Sequence, residues 1–164
     1  MAGLENLVVF DGTVRTDSWN PWKDGLRLNV SGSGTFELWN TAVTLADLSG
    51  NGIVKNSANW SGYANGNPVA VSNLTVQTGA FGGLITDNGY GNGGNTGTNG
   101  DTSLNLIKAG SGSLTLSGLN DYTGVTIFAG GTLQAAFLAD NGAPSSLGLG
   151  TGDTNNDRIG LLFR

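Results

Sequence analysis

Cysteine and histidine are both absent from this chain of 164 residues. Without histidine, neither a catalytic triad built on imidazole nor a histidine metal site can form. Without cysteine, no disulfide stabilises the fold and no thiol acts as a nucleophile. The sequence therefore predicts a fold held together by packing and hydrogen bonds alone.

Positive charge is also scarce, since 7 Lys and Arg residues stand against 12 Asp and Glu, for a net charge of −5. The cations are scattered, whereas nucleic acids and anionic membranes bind clusters of them. No apolar run approaches the length of a membrane-spanning helix. We therefore expect no nucleic-acid partner and no membrane insertion. The first residues lack the basic and apolar regions of a signal peptide, so we expect a segment excised from a longer protein.

Glycine is abundant, with 29 residues, and it interrupts short runs in which apolar and polar residues alternate. Such runs are typical of strands joined by tight turns, and none has the length of an amphipathic helix. The sequence predicts an all-β protein with strands at 7–10, 26–30, 35–39, 42–45, 52–55, 69–71, 74–77, 84–86, 104–107, 113–116, 125–128, 132–136 and 158–163.

A solenoid explains the low hydrophobic content of 38%, because each coil buries only a thin inner stripe. We therefore interpret residues 1–164 as a single β-solenoid segment, with a β-sandwich as the alternative. The Asn- and Gly-rich segment 88–101 is expected to be a flexible loop.

The most regular pattern lies in residues 106–134, where a lysine and several glycines alternate with leucines and hydroxyl residues. Its spacing resembles the autotransporter-associated β-strand repeat of bacterial passenger regions. The matching positions are Lys108, Gly110, Gly112, Leu114, Leu116, Ser117, Gly118, Asn120, Tyr122, Gly124, Thr126, Gly131 and Leu133. The resemblance implies a right-handed parallel β-helix with structural or adhesive function, outside the cell or on the outer surface of a bacterium.

The resemblance implies no active site and no cofactor. The expected partners are neighbouring repeats of the same protein, or other copies stacked end to end, and surface glycans. Within the repeat, period-two alternation predicts a buried ladder of Leu106, Leu114, Leu116, Val125, Ile127 and Leu133. The Asn120 side chain is expected to bond backbone at a turn.

Aromatic residues concentrate in the first 65 positions and predict a carbohydrate-binding surface as the alternative function, because such rings combine an apolar face with a polar tip. The candidates are Trp19, Trp22, Trp39, Trp60 and Tyr63. The competing interpretation is that these rings pack around the first coils.

The sequence contains residues for two further kinds of site. Carboxylates near the first two tryptophans are the components of a polysaccharide-cleaving cleft, although an exposed polar loop explains the same pattern; they are Asp11, Asp17, Asp24 and Glu37. Asp153, Asn155 and Asp157 have the spacing of a calcium loop, but Arg158 stands where that loop requires glycine. We therefore expect no catalytic residues and no metal, with these three residues as a weak calcium candidate.

Overall fold

The computed structural model describes residues 4–16, 24–57, 70–87, 102–140, 142–149 and 159–161. Across these ranges the secondary structure is strand and turn, without a helix. The strands are β1 (Asn6–Val9), β2 (Thr13–Arg15), β3 (Leu26–Val30), β4 (Thr35–Glu37), β5 (Ala42–Gly50), β6 (Ile53–Asn56), β7 (Ala70–Phe81), β8 (Leu84–Asp87), β9 (Thr102–Lys108), β10 (Ser113–Leu116), β11 (Thr126–Phe128), β12 (Thr132–Ala135) and β13 (Ile159–Leu161).

The strands form two sheets in which each strand lies beside the equivalent strand of the next coil. A 9-stranded sheet follows the path β1-β3-β5-β7-β9-β11-β13, with β10 and β12 beside it, and a 4-stranded sheet follows β2-β4-β6-β8. Every pairing between these named strands is parallel. The predicted parallel β-helix is confirmed, and the β-sandwich alternative is wrong because sandwich sheets are antiparallel.

Strand β7 shows how the coil changes along the solenoid. Its first half, from Ala70 to Val76, pairs with β9, whereas Gly79 to Phe81 pair with β10. One long strand in the fourth coil is therefore followed by two shorter strands, separated by the turn at 109–112. The sequence predicted two strands, 69–71 and 74–77, where the structure has this single strand, and it missed β2.

The core consists of inward side chains stacked in register from coil to coil. One ladder consists of Leu7, Leu28, Leu48, Leu114 and Leu133, with Gly79 at the register position between Leu48 and Leu114. In the smaller sheet the ladder is Val14, Phe36, Val54 and Ile85. Most of these side chains are fully buried, and Leu7, Val14 and Leu133 are partly buried against them. Burial of apolar area in this stripe is the main stabilising contribution to each coil.

The predicted ladder within the repeat is only partly right. Leu106, Leu114 and Leu116 are fully buried and Leu133 is partly buried. Val125 and Ile127 are half-buried instead, because Thr126 pairs with Leu106 and takes the inward position. A one-residue change in register moves every side chain of a strand to the other face.

The Asn120 side chain bonds backbone in two coils. Its Oδ1 accepts a hydrogen bond from the Ile85 amide at 2.8 Å, and its Nδ2 donates to the Ser146 carbonyl at 2.8 Å. Residues 120–121 thereby continue the stack beyond β8. The predicted loop 88–101 lies outside the described residues, and no helix in the described ranges is long and apolar enough to cross a membrane.

Candidate functional site

The site is built at the ends of three neighbouring strands in the smaller sheet. In β2, β4 and β6, the residues Arg15, Glu37 and Lys55 pair with one another in register. Parallel pairing therefore places a cation, an anion and a cation one above another in successive coils. Together with Trp39, these residues form what we call the Trp39 edge.

Glu37 is the centre of this edge, and only 1% of its surface is exposed. Its Oε2 accepts a hydrogen bond from Arg15 Nε at 2.7 Å, and its Oε1 lies 3.8 Å from Lys55 Nζ. The Ser57 hydroxyl donates a further hydrogen bond to Oε1. A buried carboxylate needs such partners because burial without them is costly. Glu37 thus fixes the cations of the coils on either side.

The Arg15 guanidinium also lies 3.8 Å from the centroid of the Trp39 ring, in a cation–π contact. Trp39 and Asn40 both have positive φ, at 45° and 59°, a conformation that is uncommon for residues other than glycine. The Asn40 amide donates to Asn56 Oδ1 at 3.0 Å, which supports the turn from the next coil.

Two threonine hydroxyl groups also support the turn that carries Trp39. Thr16 and Thr41 share a hydrogen bond between their Oγ1 atoms at 2.6 Å, and both hydroxyls contact the Leu38 carbonyl. Thr16 is 1% exposed. Because these polar groups form hydrogen bonds with one another, they hold the turn that carries Trp39 in one conformation.

Of the remaining acidic candidates, the structure describes Asp11 and Asp24, and neither lies beside Glu37. Asp11 accepts hydrogen bonds from Ser33 Oγ at 2.6 Å and from the Gly12 amide at 2.8 Å, and these bonds lower the pKa of its carboxyl. Asp11 therefore lies near the start of β4, whereas Glu37 ends that strand. Asp24 is exposed ahead of β3, in the larger sheet, and Asp17 lies outside the described residues.

Metal binding has no support in the described ranges, where no group of three or more Asp and Glu side chains is arranged to hold an ion. The calcium candidate Asp153, Asn155 and Asp157 lies outside those ranges, so it stays a prediction.

Of the predicted aromatic residues, the structure places Trp39 alone; Trp19, Trp22, Trp60 and Tyr63 lie outside the described residues. The described residues next to these segments contact the Trp39 edge or its supporting turn. Thr16 directly precedes segment 17–23 and Ser57 directly precedes segment 58–69, and both contact residues of the Trp39 edge or its supporting turn.

Two buried charged residues were not foreseen from the sequence. The Asp87 carboxylate, 7% exposed, accepts hydrogen bonds from the amides of Leu104 and Thr123, each at 2.8 Å. Lys108 is fully buried, and its Nζ donates to backbone carbonyls of two successive coils. Both are the last residues of strands in which alternate positions are inward, and Lys108 is also the first matching position of the repeat.

Comparison with known proteins identifies the repeat. The pattern of the passenger-associated-transport-repeat family matches residues 106–135. The chain is also 33% identical over 101 residues to a Brucella suis biovar 1 (strain 1330) protein named adhesin BmaC autotransporter. That similarity covers 62% of this chain and 3% of the length of the relative. No solved structure matches the chain significantly.

Proposed function

Because residues 106–135 are an autotransporter passenger repeat, we propose that this segment is a non-catalytic stalk within a longer passenger. The repeat and the adhesin relative imply an extracellular or cell-surface location. The observation that supports a stalk is the continuous register from β1 to β13, in which each coil pairs with the next. A stack of this kind is extended by adding coils without changing its cross-section.

Deleting one coil tests this function. Leu74 pairs with Leu106, so removing residues 74–105 joins Asn73 to Leu106 and preserves the inward face. We expect a folded rod that is shorter by about one strand spacing, roughly 4.8 Å, in small-angle scattering. The matched control removes residues 74–104, which shifts the register by one residue and reverses the faces.

The stalk is supported if the first deletion variant melts cooperatively and the control does not. An unfolded first variant contradicts a modular rod. A second assay addresses catalysis, since release of reducing sugars from polysaccharides by the intact segment would contradict the non-catalytic assignment.

The first described coil is incompletely covered. Leu7, the first described member of one ladder, is partly buried, whereas Leu28 in the next coil is fully buried. Coils of the same passenger that continue this ladder are the proposed partners, with other copies stacked end to end as the alternative. Sedimentation velocity distinguishes them, because stacked copies give concentration-dependent filaments.

Carbohydrate binding is a second proposed function, favoured by one observation. Trp39 lies at the same edge as Thr16 and Ser57. Thr16 directly precedes the segment that contains Trp19 and Trp22, and Ser57 directly precedes the segment that contains Trp60 and Tyr63. A tryptophan ring beside charged side chains suits a sugar ligand. An array of neutral and acidic glycans tests this function, and a folded segment that binds none of them contradicts it.

A further inference from the structure

The Trp39 edge presents hydrogen-bond donors to solvent. The Arg15 side chain is 52% exposed and the Lys55 side chain 34% exposed. A guanidinium has five N–H donors, and only the one on Nε is bonded to Glu37. The four on the Nη atoms have no hydrogen-bond partner among the described residues. The edge therefore has capacity to bind an anion.

The edge is also positively charged, in contrast to the whole chain. Arg15 and Lys55 with Glu37 carry a net charge of +1, whereas the whole chain carries −5. The two cations belong to strands separated by one strand, whose backbones lie roughly 9–10 Å apart along the stacking direction. A polymer with repeated negative charges can contact both.

The conformation of Trp39 is the second, independent observation. A positive φ is costly for a bulky residue, and such strain persists mainly at functional sites. Packing does not explain it, because Trp39 is half-buried and is not part of the hydrophobic core. Its ring instead holds the Arg15 guanidinium, 3.8 Å from the centroid. The strained turn thus pre-organises a planar donor, which lowers the entropy cost of binding.

We infer that the Trp39 edge binds an acidic polysaccharide, with Arg15 contacting a carboxylate or sulfate group and Lys55 a second anionic group. The inference rests on the carbohydrate-binding function proposed above and narrows its ligand class. A planar guanidinium matches a two-oxygen anion with two parallel hydrogen bonds, whereas a neutral sugar offers no negative charge for the cation to pair with.

The test compares three probes on the whole chain: polygalacturonate, which carries carboxylates, dextran sulfate, and neutral dextran. We expect binding to at least one acidic polymer and none to dextran, and the two acidic probes separate the carboxylate from the sulfate source. The variant Arg15→Lys keeps the charge but loses the planar fork, so binding should weaken about tenfold. The control Arg27→Lys alters an exposed arginine on β3, in the larger sheet, and should change nothing.

The variant Trp39→Gly tests binding at the edge in a chain that should remain folded. Glycine accepts a positive φ readily, so the melting temperature should stay the same or rise while acidic-polymer binding weakens. Equal affinities of the Arg15→Lys and Arg27→Lys variants for the acidic polymers would mean nonspecific charge attraction, which both variants retain, and would overturn the inference. Binding to neutral dextran that neither Arg15→Lys nor Trp39→Gly weakens would also overturn the inference, while still supporting carbohydrate binding. A folded chain that binds no glycan would contradict both the inference and the carbohydrate-binding function.

Discussion

Gly83 lies directly against Gly52 of the preceding coil. A Cβ added at Gly83 would lie 2.0 Å from the Gly52 carbonyl oxygen, a distance that real Cβ atoms do not tolerate. The same relationship links Gly118 to the carbonyl oxygen of Gly83, at 1.9 Å, and Gly52 to that of Gly34, at 2.7 Å. One turn of the solenoid therefore approaches the next so closely that only glycine fits.

Gly83→Ala should lower the free energy of unfolding by about 2–3 kcal/mol, because the carbonyl it meets is backbone and the coils must separate. Gly82→Ala is the control, since its added Cβ would lie 3.1 Å from the Ser117 hydroxyl and 4.0 Å from the Gly50 carbonyl oxygen. Urea denaturation of the two variants measures the difference. Equal stabilities would show that the coils have room to shift.

Leu116→Ala should destabilise the chain by about 2–5 kcal/mol, the usual loss for a buried large-to-small change. Leu116 is fully buried, whereas Leu119, three residues later, is 58% exposed. Leu119→Ala is therefore the matched control and should change stability by less than about 0.5 kcal/mol. A thermal melt that ranks the two variants in the opposite order would contradict the assigned inward face.

The sequence predicts a strand well where the apolar residues of that strand are also the residues that point inward. In β3 the apolar residues Leu26, Leu28 and Val30 alternate with polar ones, and the predicted and observed bounds coincide. At 125–128 the two sets differ, because Val125 and Ile127 are more apolar than Thr126, yet Thr126 is inward. Its hydroxyl bonds the Leu147 carbonyl at 3.1 Å, a partner supplied by a distant segment that alternation does not reveal.

The candidate site was less predictable, since its geometry depends on which strands are neighbours. The sequence marks Trp39 and Glu37 as candidates, but not the pairing of Glu37 with Arg15 and Lys55. Coil length varies too much to infer this register, because Leu28 pairs with Leu48 and Leu48 pairs with Gly79. Only the three-dimensional pairing shows that the two cations share one carboxylate.

Thr126→Val tests the inward threonine. The Thr126 and Tyr122 hydroxyls share a hydrogen bond, and both residues are fully buried. Valine keeps the shape but leaves the Tyr122 hydroxyl without this partner, so we expect a loss of about 1–3 kcal/mol. Thr75→Val, on the outer face of β7, should be nearly neutral. A neutral or stabilising Thr126→Val would instead favour Val125 and Ile127 as the buried residues.

Lys108→Met tests a lysine that occupies an inward position between Val76 and Phe128. Its Nζ donates to the carbonyls of Ala109 and Gly130, at 2.6 and 2.9 Å, and so joins the turns of two coils. Methionine fills similar space without a donor, and we expect a loss of about 1–3 kcal/mol from the unpaired carbonyls. Arg27→Met, which removes an exposed cation, is the control. Similar melting temperatures for both variants would mean that Lys108 does not join the coils.

The same lysine predicts a dependence of stability on pH. Burial lowers the pKa of Lys108 from its ordinary value, so between the folded pKa and the unfolded one, about 10.4, the unfolded chain binds more protons than the folded chain. Stability then rises with pH across that interval, and Lys108→Met removes the rise. The stability difference between the unsubstituted chain and Lys108→Met should therefore be larger at pH 10 than at pH 7, measured by urea denaturation. A difference that shrinks at pH 10 would mean that the carbonyl contacts outweigh burial and raise the pKa of the lysine.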